Sequence, residues 1–276
     1  MDTTNAGQVS DWLSIWKGQP RLLDKAALQL SDEVFPVMKK YLPPNGLVLE
    51  GGCGPGDWVW CLRSLGYRVV GLDFCEPVLH ETHIQDPTLP FTVGDVTELP
   101  FRSACLDAVI SLGVVEHFED GPYAALLEAR RVLRPGGILL VSVPHMNGLR
   151  SLPLVERLKK NPFLRRLAGK KLEFWQYKFT RKQLRGFLTA TGFEIAELLP
   201  LYHEEGFIFD LPFLGSRQHQ YRANPVGKAL ARSLRAISPW ITNHMVIAVA
   251  RRQCERVGVS LYTDLANQKL ERASEN

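Results

Sequence analysis

The stretch LVLEGGCGPGDW, residues 47–58, constrains this chain more than any other. An apolar run leads into four glycines within six positions, Gly51, Gly52, Gly54 and Gly56, and a helix-forming run follows. Backbone this bare belongs where a chain turns sharply and something approaches it closely. A strand, a glycine turn and a helix make the first unit of a doubly wound sheet, whose ligands bind at the carboxyl ends of the strands.

The rest of the chain repeats that alternation. YRVVGLD (67–73), FTVGD (91–95), LDAVISL (106–112) and ILLVSVP (138–144) read as short apolar strands. Residues 57–65 and 122–133 read as helices, the second with Ala125, Leu126, Ala129, Val132 and Leu133 on one face and RPGG (134–137) as its stop. Residues 180–201 give a helix, a glycine stop and a strand, and HMVIAVARR (244–252) gives a last strand. Continuous apolar strands between helices mean a sheet covered on both faces. The expected fold is α/β, a Rossmann-like, mostly parallel seven-stranded sheet with a helical cap insertion.

Four regions follow. Residues 1–44 form an N-terminal helical segment in which Leu22, Leu23, Ala26, Ala27 and Leu30 keep helical spacing and Pro36 interrupts or restarts it. Residues 45–147 and 179–252 form the core. Residues 148–178 read as a basic helical cap, where Arg150, Arg157, Lys159, Lys160, Arg165, Arg166, Lys170, Lys171 and Lys178 face only Glu156 and Glu173. Asn161-Pro162 marks a helix start within it. Residues 253–276 form a polar tail, and 202–240 read as irregular, basic and aromatic.

Composition excludes more than it identifies. A net charge of +4 is too small to indicate nucleic acid. The start, MDTTNAGQVSDW, is polar and acidic, so no secretory leader is expected, and no apolar run approaches a membrane span. Five scattered cysteines without a CxxC pair suggest a reducing cytoplasm and no metal site.

Glu50 decides how the glycine turn is read. In the dinucleotide fingerprint GxGxxG, counted from Gly52, the third glycine would fall on Asp57. The pattern is instead Glu50-x-Gly52-x-Gly54-x-Gly56. A carboxylate beside a pyrophosphate would repel it, whereas beside a cationic ligand it is favourable. This segment resembles motif I of the class I S-adenosylmethionine-dependent methyltransferases, and more closely their type 11 small-molecule branch. Asp73 at the end of the second strand, GDV (94–96), LDAVISLGVVEHFED (106–120), EARRVLRPGGILLVSVP (128–144) and FTRKQLRGFLTATGFEI (179–195) carry the resemblance further.

The resemblance implies S-adenosyl-L-methionine as cofactor, held by Glu50, Gly52, Cys53, Gly54, Gly56, Asp73, Phe74, Asp95, Val96, Leu112 and Gly113. Asp73 can accept from both ribose hydroxyls, Asp95 from the adenine amino group, with Val96 on the ring. Methyl transfer to a neutral hydroxyl needs a proton acceptor, and His117, beyond the fourth strand, is the first candidate. His145, beyond the fifth, is the second, with His203 and His219 weaker. Trp12 and Trp16 suit either an amphipathic face or a lid over the cofactor.

The fourth strand lacks the Asn/Asp-Pro-Pro-Tyr/Phe box used on amino groups of nucleobases and glutamine, and a Pro-Cys nucleophile. A small molecule with a hydroxyl on a sugar, natural product or lipid is therefore the expected acceptor, with no nucleic acid. Methylation of a prenylated ring or lipid at a membrane, and a catalytically inactive cofactor-binding module, are the alternatives. The basic insert adds an expected contact with a membrane surface or an anionic substrate.

Overall fold

The computed structural model describes residues 12–14, 16, 29–153, 176–211, 214–215 and 222–254. In chain order the elements are α1 (Phe35–Tyr41), β1 (Leu47–Gly51), α2 (Asp57–Ser64), β2 (Arg68–Asp73), α3 (Glu76–Gln85), β3 (Phe91–Val93) and β4 (Leu106–Leu112). A short 3-10 turn (Val115–His117) follows, then α4 (Tyr123–Val132), β5 (Leu133–Pro144), α5 (Arg181–Ala190), β6 (Phe193–Leu201), α6 (His203–Asp210), α7 (Pro225–Ile237) and β7 (Met245–Arg252). The residues expected to lead the N-terminal helix (22–28), most of the basic insert (154–175) and nearly all of the tail (255–276) lie outside the described residues.

The seven strands run in the order β3-β2-β1-β4-β5-β7-β6. Strands β1 to β5 pair in parallel, and β7 runs antiparallel between β5 and β6. Side chains alternate across a strand, so successive residues feed opposite faces. Val48 packs with Val59, Leu62 and Val69 beneath α2, and Leu49 packs with Leu126, Ala129 and Leu139 beneath α4. Both faces are buried, which is why β1 reads as an unbroken apolar run. The order reverses between β1 and β4, and in open α/β sheets the ligand crevice opens at such a reversal.

Three expectations are corrected. RPGG does not separate α4 from its strand: β5 begins at Leu133, and the turn is looped out within it. Leu106 pairs with Leu133 and Ala108 with Ile138, so the extra residues form a bulge, with Gly136 at φ +78°. The 202–240 stretch is not irregular but carries α6 and α7. Asn224 caps α7 by accepting from the Gly227 N–H at 2.8 Å, and Pro225 sits in its first turn, a start signal present in the sequence.

The third correction concerns Arg150, which is not part of a basic surface. Its side chain is 2% exposed and pairs with Asp210, 1% exposed, at 2.7 Å. It also donates to the carbonyls of His145 and His244, and its Nη2 lies 2.9 Å from His244 Nδ1. Asn147 donates to Asp210 Oδ2 and to the Asn243 carbonyl, and accepts from the Arg150 N–H. This network ties the exit of β5, the end of α6 and the approach to β7 into one body. Pro36 restarts the helical pattern, as expected. It occupies the first turn of α1, where its missing N–H costs nothing.

Removing one partner of such a pair strands a buried charge, which typically costs about 3–5 kcal/mol. Arg150→Ala and Asp210→Ala are each expected to lower folding stability by that order in urea titrations. Loss below about 1 kcal/mol, the range of an exposed pair, would contradict the burial.

Candidate functional site

The glycine loop spends its own donors. The N–H groups of Gly52 and Cys53 both donate to the Leu72 carbonyl, at 2.8 and 3.0 Å. The Gly54 N–H donates to Asp73 Oδ2 at 2.8 Å, the Gly56 N–H to the Cys53 carbonyl at 2.9 Å, and Pro55 has none. A phosphate cradle needs such groups free and aimed at the ligand. The start of α2, the other natural anion site, is taken by a side chain of the chain itself: Glu50 accepts a hydrogen bond from the Val59 backbone. Glu50 is 4% exposed, and its Oε2 has no partner among the described residues. Burial, reinforced by the charges of Asp57 and Asp73, pushes its carboxyl well above the usual range.

The loop's shape follows from its neighbours. Gly52 and Gly54 have φ of +73° and +51°. A Cβ at Gly52 would run into the Val114 side chain, and one at Gly54 would lie 2.9 Å from the Trp16 ring. The Cys53 thiol is buried among core residues and would crowd any side chain at position 71, so Cys53 offers only backbone to a ligand.

Asp73 closes the loop. Its Oδ2 accepts from Gly54 and its Oδ1 from the Cys75 N–H at 2.9 Å. Each oxygen keeps a lone pair for a further donor. Asp95 is exposed beyond β3, and its Oδ1 accepts from the N–H and hydroxyl of Thr97. Val96 packs against Gly51. Phe74, Leu112 and Gly113 are half-buried at the ends of β2 and β4. The expected cofactor residues thus gather along the carboxyl ends of β1 to β4.

The two histidines separate. His117 is half-buried, with its ring edge-on to Trp12 at 5.1 Å. Trp12 stacks on Trp16 at 6.5 Å, and Trp16 lies on Gly54. These rings run from the exit of β4 to the glycine loop. His145 is buried, holds Asn243 Oδ1 through Nδ1 at 3.0 Å and packs edge-on to Trp240. Burial draws its pKa down to about 4, which makes it a poor proton acceptor at neutral pH. His203 is also buried, with its pKa lowered by burial to about 4. His219 lies outside the described residues.

Sequence reasoning gave Glu116 no role. Its residue is 1% exposed, Oε2 has no partner among the described residues, and burial raises its pKa to about 8. The folded chain keeps this proton to higher pH than the unfolded chain. The group's contribution to stability is therefore full below about 4.5 and lost as pH rises through about 8.

Residues 49–141 match the profile of the methyltransferase domain family, type 11. These residues carry a methyltransferase domain of the S-adenosylmethionine-dependent kind. A probable S-adenosylmethionine-dependent methyltransferase of Mycolicibacterium smegmatis is 32% identical over 162 residues, 58% of this chain and 56% of the relative. The malonyl-[acyl-carrier protein] O-methyltransferase of Serratia marcescens is 34% identical over 109 residues, 40% of this chain and 42% of that protein. The probable tRNA methyltransferase 9B of Mus musculus is 32% identical over 119 residues, 41% and 26% of the two. The chain thus spans about half or less of the length of these relatives. In fold, a methyltransferase structure from Methanosarcina mazei superposes with a TM-score of 0.56 at 21% identity, covering 80% of this chain and 99% of that one.

Asp73 gives a direct check on the methyltransferase loop. Asp73→Ala removes two charge-assisted bonds to buried N–H groups and is expected to cost about 1.5–3 kcal/mol without any ligand present. Urea denaturation reads this, and an unchanged midpoint would mean those bonds add nothing net.

Proposed function

We propose that the chain binds S-adenosyl-L-methionine in the crevice between β1 and β4 and transfers its methyl group to a hydroxyl of a small molecule. The observation that carries the reading is the spent glycine loop. Its donors are used internally and Glu50 occupies the start of α2, so the site repels a pyrophosphate and suits a cation. The unpartnered Glu50 Oε2 fits a ligand with a cationic group. On this reading Asp73 accepts from the ribose hydroxyls, Asp95 and Val96 meet the adenine, and Leu112 and Gly113 line the β4 side.

The bound donor supplies a methyl group on a positively charged sulfur, an in-line displacement with a good leaving group. The chain's own work is then positioning, exclusion of water and removal of one proton. Trp12 and Trp16 shield the crevice. His117, under Trp12 at the exit of β4, is the proton acceptor, in preference to His145, whose Nδ1 is engaged by Asn243 and which burial holds neutral. A small molecule is favoured over nucleic acid because the β4 exit reads LGVV, without the Pro-Pro box. No helix among the described residues is long and apolar enough to cross a membrane.

Incubation with donor labelled in its methyl group, against a panel of sugar, natural-product and lipid hydroxyls with tRNA included, tests the reading. Label in a small hydroxyl compound supports it, and label in tRNA alone overturns the acceptor class. With an acceptor found, His117→Ala is expected to lower kcat by roughly a hundredfold to ten-thousandfold and to abolish a limb rising through the histidine range. A variant with wild-type kcat and pH profile would leave His117 as part of the lid alone.

A further inference from the structure

Glu116 remains without a role, and its placement points to one that rests on the proposed cofactor. It follows β4, one wall of the crevice opposite β1. Val114, two residues before it, fills the space above Gly52, so this turn lies directly against the glycine loop. The carboxyl folds back over the strand end, with Oε1 3.6 Å from where a Cβ at Gly113 would stand. The backbone is fixed: the Tyr177 N–H donates to the Glu116 carbonyl at 3.0 Å, and the His117 N–H to the Val114 carbonyl at 3.2 Å.

A carboxyl this buried is costly to leave unsatisfied. The charged and titratable groups around it are His117 on its own turn, Tyr177 and Lys178 on the segment docked to that turn, His145 beyond β5, and Glu50 and Asp73 on the opposite wall. Burial raises its pKa to about 8, against the lowering effect of a hydrogen bond from its own backbone. Glu116 is therefore mostly an uncharged acid at neutral pH, next to a crevice that takes a charged ligand.

We propose that Glu116 is the residue by which the crevice distinguishes the positively charged methyl donor from its neutral product. The two differ by one methyl group and one unit of charge at sulfur. With the donor in place the ionised carboxylate is favoured, and the Glu116 proton leaves to solvent. When the methyl group has gone to the acceptor, the electron pair of the broken C–S bond stays on sulfur. The positive charge is lost, the carboxyl takes a proton back, and the product is held more weakly. Product release is thereby coupled to transfer.

Calorimetry with S-adenosylmethionine and S-adenosylhomocysteine, in two buffers of different ionisation enthalpy, tests this without an acceptor. In the wild type, donor binding should release protons and product binding should not. The ratio of donor to product affinity should climb by up to about tenfold per pH unit below pH 8. Glu116→Gln, which mimics the protonated acid and is expected to fold, should flatten that slope and lower the ratio while leaving product affinity unchanged. Glu50 remains in the variant and marks any residual slope as its own. Equal proton release for both ligands in the wild type overturns the proposal without any variant, and so does a Glu116→Gln protein with the wild-type ratio and slope. Binding of neither ligand to the wild type would sink the cofactor reading, and this proposal with it.

Discussion

The site depends on where Glu50 puts its charge. In a strand–turn–helix unit the helix start carries a partial positive charge, and bare glycine backbone offers N–H groups to an anion. Here Glu50 takes the hydrogen bond from Val59, and Leu72, Asp73 and Cys53 take those of the loop. On the proposed reading, a fold that commonly attracts phosphate is thus turned into one that attracts positive charge. Burying a carboxylate is unfavourable by itself, and Glu50 and Glu116 both show it in raised pKa values. That cost falls when a cation arrives, so the binding preference and the destabilised groups share one cause.

The body formed by the exit of β5, the end of α6 and the approach to β7 is built on the opposite principle. Around Arg150 and Asp210 the side chains of Asn147, Asn243 and His244 all have partners. Asn147, Asn243 and the carbonyls of His145 and His244 join the same network. Satisfied networks fix geometry, whereas unsatisfied buried groups wait for a ligand. Phe209 stacks on His244 at 4.5 Å and remains nearly half exposed, so the network presents an apolar ring at its edge.

Most of the sheet was legible because each strand feeds both faces and reads as an unbroken apolar run between turn residues. The glycine loop was legible because few side chains fit beside Val114 and Trp16 there. The RPGG bulge was not, since a turn before a strand and a bulge inside one use the same residues. Arg150 was misplaced because a run of basic residues looks solvated until a distant carboxylate, Asp210, is folded against it. The helices of 202–240 were missed although Asn224-Pro225 announces one of them. Glu116 was hidden by its position in a turn, because its burial arises from long-range contacts such as the one with Tyr177.

Thermal unfolding with S-adenosylmethionine and, separately, with NAD tests the charge reversal most directly. A ligand at a hundredfold excess over its Kd stabilises by about 2.7 kcal/mol, roughly 5–10 °C in Tm for a chain of this size. The spent glycine loop requires such a rise with S-adenosylmethionine and none with NAD. A rise with NAD and none with S-adenosylmethionine would show that the crevice still accepts a pyrophosphate and that Glu50 does not set its preference.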